Sequence, residues 1–578
     1  MFKLKRFLKD YKKECIIGPL CKLLEAVLEL IVPLVMADII DNGIGNGDKD
    51  YVVKMGLVMA GLAVTGFLSA LVCQYFASKA SQGVGTKLRR EVFAHINTLS
   101  HAEIDKIGTP SLITRITNDI NQAQQMVAMS IRLLTRAPFI VIGSIVAAFT
   151  ISPKMSVIFV LAAILIGLVL FLVMTKSIPV FKLIQKKLDK IGLVSRENLS
   201  GNRVIRAFSK QESEKERIDT TTEDLAKTSI RISRLSALLN PLTYVITNFA
   251  IIAVIWFGQI NVSYGSLETG DIIALVSYMN QILLAMIVVA NLVLLITKGT
   301  ASAARINEIL ETEPSVKEKT TENITVSKDV TVPKIAFENV SFSYGGGDDE
   351  LVDISFEIKR GTTVGIIGGT GCGKSTLMNL IPRFYDATKG RVLVDGEDVR
   401  EYPFKQLRTQ FGIVPQRSVL FAGTIRDNMK WQNKNLTDDE IITALKTAQA
   451  YEFVSKLERG LDSYVEQGGK NFSGGQRQRL CIARAIAGKP EILMLDDSFS
   501  ALDFATDAAL RKALSEYTHE MTVIIVTQRC STIMNADQIL VLDDGELAGN
   551  GKHKELVKTC ETYREICLSQ LGKSEVEV

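Results

Sequence analysis

The sequence predicts an all-α six-helix transmembrane domain with long cytosolic helical extensions, followed by an α/β domain built on a phosphate-binding loop. Three observations carry this reading. Six apolar stretches are long enough to cross a hydrocarbon core, which takes about 20 residues of helix. From Lys334 onward, short β-branched strands alternate with helices, the pattern of a largely parallel sheet. Between the first such strands and a helix stands a complete G-x-x-x-x-G-K-S.

Composition agrees with a chain half solvated by lipid. Of 578 residues 47% are hydrophobic, yet only 7% are aromatic, and the mean hydropathy is +0.19. The net charge of +4 leaves no footprint for nucleic acid, and none is expected as a partner. Eight cysteines (Cys15, Cys21, Cys73, Cys372, Cys481, Cys530, Cys560 and Cys567) are scattered without C-x-x-C spacing, and there are only four histidines. Free thiols are therefore expected, and no zinc site.

The N-terminal stretch MFKLKRFLKDYKKE is basic and amphipathic, with Phe2, Leu4, Phe7 and Leu8 as its apolar residues. It lacks the apolar core and cleavage site of a removable signal. A helix lying on the inner leaflet, lysines toward lipid head groups, is the expectation. The six spans fall near Glu14–Ile40, Val52–Ala77, Leu133–Ile151, Met155–Met174, Leu239–Ile260 and Ile272–Thr297.

Lysine and arginine set the orientation. The loops after spans one, three and five hold only Lys49 and Lys154, whereas the segments after spans two and four are rich in both residues. The chain thus reads as a multi-pass protein of the cell membrane with both termini in the cytosol. The two basic segments, 78–133 and 175–239, have helical spacing but are too polar for lipid. They read as continuations of the spans into the cytosol, reversing near Gly108-Thr109-Pro110-Ser111 and near Gly201-Asn202. The domains expected are 1–310 in the membrane, a linker 311–333, and a cytosolic domain 334–578.

The chemistry is concentrated in the last of these. Behind the strand Thr363–Ile367 come Gly368, Gly369, Thr370, Gly371, Cys372, Gly373, Lys374 and Ser375, with Thr376 in the helix that follows. Glycines let backbone N–H groups curl around phosphates, and the helix presents its positive end to them. Lys374 is placed to reach the β- and γ-phosphates, and Ser375 to ligate Mg²⁺. The apolar strand Ile492–Leu495 ends in Asp496, the second metal-binding element of a P-loop enzyme. Ser473, with Gly474, Gly475 and Gln476, precedes another helix and forms a second anion cradle.

The order of these motifs, with Val414-Pro415-Gln416, Phe472-Ser473-Gly474-Gly475-Gln476 and Ser500-Ala501-Leu502-Asp503, resembles that of an ABC ATPase. Six spans ahead of it resemble an ABC exporter half-transporter, type IV and of bacterial multidrug kind, over nearly the whole chain. The resemblance implies an ATP-hydrolysing translocase that works as a dimer with ATP and Mg²⁺. It implies that Tyr344 stacks on adenine and that Gln416 senses the metal and the γ-phosphate. Ser473, Gly475 and Gln476 would act on ATP held by a second half-transporter. Coupling helices are implied near Ser111–Thr114 and Val204–Ala207.

Two positions depart from the family pattern. Asp497 stands where a Glu normally polarises the attacking water, and its carboxylate is withdrawn by about 1.5 Å. A misplacement of about 1 Å can cost a hundredfold in rate. Gln528 stands where a histidine contacts the γ-phosphate, and glutamine cannot become cationic. Beside intact Lys374, Ser375 and Asp496, these changes imply a site that binds ATP but cleaves it poorly. The complete FSGGQ then calls for a different partner chain that carries the consensus Glu and His; a homodimer would hold two altered sites. Gln467, where relatives often have Glu, carries no mechanism.

Glu25 and Glu29 lie at i, i+4 in the first span, where carboxylates are expensive. They either line a cavity for cationic amphiphiles or make structural bonds, such as Glu25 with Lys22. Asn248, Trp256, Tyr278, Met279, Asn280, Gln281 and Met286 offer soft or polar contacts, or plain packing. Export of small amphipathic drugs or lipid-like compounds is the expected function. Lipid flipping, peptide export and a mainly regulatory ATP-binding subunit are the alternatives.

Overall fold

The computed structural model describes residues 5–319, 322–326, 329, 331–500 and 502–571, without the side chains of Lys5 and Phe504. Phe2 and Leu4 of the N-terminal stretch, and Ala501 of the Ser500–Asp503 motif, lie outside the described residues. The chain forms two compact units. One comprises Met1–Asn97 and Pro110–Glu311, the other Thr98–Thr109 and Thr312–Val578.

The membrane unit is helical throughout. Among the described residues five helices are long and apolar enough to cross a membrane: Lys49–Ile96, Thr109–Ile151, Pro153–Ala207, Gln211–Ser263 and Thr269–Glu311. The 27-residue helix Lys12–Asp38, expected as the first span, has the length but carries Lys22, Glu25 and Glu29. Helices Lys49–Ile96 and Pro153–Ala207 have 48 and 55 residues, about 72 and 82 Å at 1.5 Å per residue. A hydrocarbon core is about 30 Å thick, so each runs well beyond it, as the polar helical extensions require.

The second reversal is displaced from its expected place. Gly201 and Asn202 lie inside the helix Pro153–Ala207, and the chain turns at Phe208–Lys210 instead. Ser209 takes a left-handed φ of 52°, and Lys210 N donates to Ile205 O at 2.9 Å. An exposed helix tolerates one glycine for about 1 kcal/mol; the left-handed closing residue ends the helix. The first reversal is at Gly108, with φ of 81°, as expected.

The N-terminal segment is held along the helix Lys49–Ile96. Phe7 is fully buried, Lys87 pairs with Asp10 at 2.7 Å and Lys79 with Glu14 at 2.9 Å. Its apolar side therefore faces protein at Phe7 rather than lipid.

Glu25 and Glu29 both have partners. Lys22 donates to Glu25 at 2.6 Å, and Arg136, in the first turn of Arg136–Ile151, donates to Glu29 at 2.6 Å. Tyr278 is buried with its hydroxyl on Leu30 O at 2.6 Å, and Gln281 donates to Glu29 O at 3.3 Å. Met279 is buried, whereas Trp256 is exposed. Glu29 thus fastens Lys12–Asp38 to Arg136–Ile151, while Glu25 pairs chiefly within its own helix. Arg136→Met is expected to lower the stability of the membrane unit by roughly 1–3 kcal/mol, because it leaves Glu29 without its counter-ion. Glu29→Gln is expected to cost less. Thermal unfolding of the two variants and the double variant in detergent checks this through their non-additivity.

The cassette unit holds two main sheets. An antiparallel sheet is ordered Leu351–Ile358, Ile335–Phe342, Lys389–Val394, Glu397–Asp398. The core sheet is ordered Glu546–Gly551, Gln538–Asp543, Thr363–Gly368, Thr522–Val526, Ile492–Asp496, Phe411–Val414. All its pairs are parallel except the edge strand Glu546–Gly551. The central strands are buried on both faces and read as apolar runs such as Val523–Val526, whereas the edge strand Glu546–Gly551 is partly exposed.

One cysteine expectation fails. Cys530 and Cys567 form a disulfide with Cα atoms 5.7 Å apart, while Cys15, Cys21, Cys73, Cys372, Cys481 and Cys560 are free. The chain brings together residues 37 positions apart, a pairing that linear spacing does not reveal.

Candidate nucleotide site

Ligands of open parallel sheets bind beyond the carboxyl ends of the strands. Here Val526 is level with both Asp496 and Ile366 in the parallel register. The segments leaving these three strands, Gly368–Ser375, Asp496-Asp497 and Thr527-Gln528, therefore emerge side by side. Thr370, Gly371, Gly373, Lys374, Ser375, Asp496, Asp497, Thr527 and Gln528 from these segments line one cleft with Gln416 and Glu350, whereas Gly368, Gly369 and Cys372 do not line it.

The P-loop has the conformation its glycines allow. Gly371 and Gly373 have φ of 85° and 91°, and a Cβ on Gly373 would stand 2.6 Å from Leu351 Cδ2. A Cβ on Gly369 would meet nothing within 4 Å, so close packing does not require glycine there. Lys374, the first residue of its helix, donates to the carbonyls of Gly368, at 3.0 Å, and Gly369, and approaches Cys372 Sγ at 3.4 Å. Its ammonium group is thus held inside the loop, where phosphate oxygens can take over from the carbonyls.

The metal-binding pair is also formed. Ser375 Oγ donates to Asp496 Oδ2 at 3.0 Å, an oxygen pair suited to Mg²⁺, which favours hard oxygen ligands. Burial raises the Asp496 carboxyl above its ordinary pKa; Ser375 and Lys374 oppose this and Asp497 adds to it. Because the folded carboxyl holds its proton more tightly than an unfolded one, its ionisation costs stability at neutral pH. The cost is relieved as pH falls through the folded pKa, or by a bound cation. Asp496→Asn is accordingly expected to raise the melting temperature of the nucleotide-free protein by a few degrees and to remove the further rise produced by Mg-ATP. Scanning fluorimetry with and without Mg-ATP measures both.

Asp497 takes a left-handed φ of 45°. Its backbone is tied on both sides: N donates to Val526 O at 2.9 Å, and O accepts from Gln478 Nε2 at 3.3 Å and Ser500 Oγ at 2.9 Å. The Asp497 carboxylate therefore hangs from a backbone fixed on both sides. Gln528 is exposed and lines the same cleft.

Tyr344 is 44% exposed, packs edge-on against Phe342 and Tyr385, and hydrogen-bonds through its hydroxyl to Thr376 Oγ1 at 3.1 Å. Thr376 lines the P-loop cleft, so an exposed aromatic face stands beside the phosphate cradle, where a base can stack. A neighbouring cavity is lined by Tyr344, Tyr385, Glu103 and Asp105. The helix His101–Ile107 supplies this wall. It opens with a capping box of Ser100 and Glu103, Asp105 accepts from Tyr385 at 3.0 Å, and His101 lies over Phe384. Sequence reading missed this segment and placed its contact residues at Ser111–Thr114, which belong to the membrane unit. The S-x-x-E capping signature at Ser100 was the available signal for a helix start.

Ser473 caps the 14-residue helix Gly474–Ala487: its Oγ accepts from Gln476 N at 3.3 Å, and Gln476 Oε1 accepts from Ser473 N at 3.0 Å. Ser473 and Gly474 are exposed. Ser473, Gly474, Gly475 and Gln476 do not line the P-loop cleft of their own chain. The capped N-terminus at Ser473 is thus exposed and separate from the P-loop cleft.

A helical membrane domain joined to this α/β site defines a membrane-embedded P-loop ATPase. The chain belongs to the ABC transporters: the family's transmembrane region matches residues 15–286 and its ATPase domain residues 351–500. It is 37% identical to YfiB of Bacillus subtilis (strain 168), an ABC transporter ATP-binding protein, over 99% of each chain. It is 31% identical to an ATP-dependent lipid A-core flippase of Vibrio vulnificus (strain CMCP6), over 98% of this chain and 97% of that one. A bacterial Atm1-family ABC exporter solved with ATP bound superposes with a TM-score of 0.81 at 25% identity, covering 97% of this chain and 99% of that one. The chain is thus a half-transporter subunit of an ATP-driven exporter, of type IV fold, and its cassette binds ATP.

Proposed function

We propose that this chain is the subunit with the weaker nucleotide site in a heterodimeric exporter of the cell membrane, its cassette and both termini in the cytosol. Its P-loop, Ser375, Gln416 and Asp496 hold Mg-ATP, while its Ser473–Gln476 segment completes the hydrolytic site of a partner. The observation that carries the reading is the pair Asp497 and Gln528, lining one cleft beside a phosphate cradle that is otherwise complete. The cargo is a small amphipathic or lipid-like compound. The flippase activity named for the Vibrio relative supports this, as does the pairing of Glu25 and Glu29, which removes the main reason to expect a preference for cations. Purified alone, the chain should turn over ATP at least tenfold more slowly than when co-assembled with a half-transporter carrying Glu and His at the positions of Asp497 and Gln528. Steady-state ATPase assays in nanodiscs decide. Robust, cooperative turnover by the chain alone would mean that Asp497 and Gln528 suffice and that the weaker-site reading is wrong.

A further inference from the structure

Behind the nucleotide site, residues spread over 38 positions converge. Cys530 opens the short helix Cys530–Ile533 directly after Gln528 and Arg529, His553 opens His553–Thr559, and Cys567 lies in Glu561–Gln570. The two sulfurs are bonded, and a His553 ring nitrogen lies within 4.8 Å of both. Tyr563 Oη is 2.8 Å from His553 Nδ1 and 3.4 Å from Cys530 Sγ. Both cysteines are fully buried. The Cα separation of 5.7 Å lies in the ordinary range for a bridge.

The same two elements meet at the γ-phosphate-facing segment. Gln570 Nε2 donates to Gln528 O at 2.6 Å, and Gln570 Oε1 accepts from Cys530 N at 2.8 Å. The backbone of Gln528 and the residues after it thus hang on the helix that carries Cys567.

The geometry points to a reversible oxidation site at Cys530 and Cys567 that fixes the Gln528 segment to the C-terminal helix. This rests on the cytosolic placement of the cassette given above, since thiols there rest in the reduced state. The co-reactant is a hydroperoxide small enough to enter beside half-buried His553. A His553 ring nitrogen within 4.8 Å of both sulfurs is the group placed to take the thiol proton, and the thiolate is the attacking species. The thiolate displaces one peroxide oxygen as water or alcohol and becomes a sulfenic acid. The second thiol then forms the S–S bond and expels water. With hydrogen peroxide, two thiols and one peroxide give one disulfide and two waters. A dithiol returns the pair to thiols by exchange. A disulfide makes chemical use of both sulfurs without a fourth ligand, which the alternative of a zinc ion at these side chains would need.

The test uses the full-length chain in nanodiscs, reduced, treated with hydrogen peroxide, then returned to dithiothreitol. Alkylation and peptide mapping should show a Cys530–Cys567 linked peptide only in the oxidised sample, and none in Cys567→Ser or Cys567→Ala. Hydrogen exchange of residues 526–531 should slow at least tenfold on oxidation in the parent and be unchanged by peroxide in both variants. Cysteines that stay fully alkylatable after peroxide would overturn the site, and so would one chelator-sensitive zinc per chain protecting both thiols. A crosslink that dithiothreitol cannot open would overturn its reversibility. A crosslink without slower exchange would overturn its hold on Gln528. Placement is read separately, by whether an impermeant thiol reagent applied to intact cells leaves a cysteine introduced at exposed Ser569 unlabelled; labelling would sink the cytosolic premise alone.

Discussion

In the assembled pair, Ser473→Arg should reduce ATP turnover at least tenfold below Asp497→Ala, a gap of about 1.4 kcal/mol in barrier. The two residues are on one chain but serve different sites under the proposed function. Ser473 caps an exposed helix N-terminus, whose positive end and N–H groups suit an anion. An arginine there removes the cap, which costs about 1 kcal/mol locally, and fills the cradle with a bulky cation. Asp497 hangs its carboxylate from a tied backbone, and under the proposed function its removal takes away only a weak base. The comparison is made at saturating Mg-ATP with folding and nucleotide binding verified for each variant. Were Asp497→Ala the more damaging, hydrolysis would belong to this chain's own P-loop site.

Lys374→Met should weaken ATP binding at this chain's own site by roughly a hundredfold, about 2.7 kcal/mol. Its ammonium is held within the P-loop by the carbonyls of Gly368 and Gly369. The substitution therefore removes the charge meant for the β- and γ-phosphates and also leaves loop carbonyls without their donor. Charge-assisted bonds of this kind are about twice as strong as neutral ones. Nucleotide photolabelling resolved by subunit reads the loss directly. Retained labelling of the Lys374→Met chain would show that the loop backbone alone holds the phosphates.

Much of this architecture is legible in the sequence because its signals are local. A P-loop needs eight consecutive residues, and a strand ending in Asp496 declares itself by its apolar run. The helical extensions show in polar stretches that keep helical spacing. What stays hidden depends on residues far apart in the chain. Lys22 at i, i+3 from Glu25 is visible, but the Arg136 that neutralises Glu29 is 107 positions away. The wall formed by His101–Ile107 looks like any short amphipathic helix until Tyr385 and Phe384 are placed against it. Glycine misled at Gly201, where an exposed helix absorbs its modest cost, and informed at Gly373, where a left-handed backbone and a close neighbour leave no alternative.

The 55-residue helix Pro153–Ala207 has a mechanical consequence. An unbroken rod about 82 Å long converts a tilt of about 5° at one end into a shift of about 7 Å at the other. It acts as a lever, and the displacement it delivers is of the order of a helix radius. Pro179 lies inside it, and a proline there removes one rung of the hydrogen-bond ladder. The rod thus has a compliant joint near its middle. Bending at that joint lets the two arms move unequally, so the stroke at the far end is set by the stiffness around Pro179 as well as by the force applied. A helix broken at Gly201 would have ended the lever seven residues earlier, with a correspondingly shorter throw.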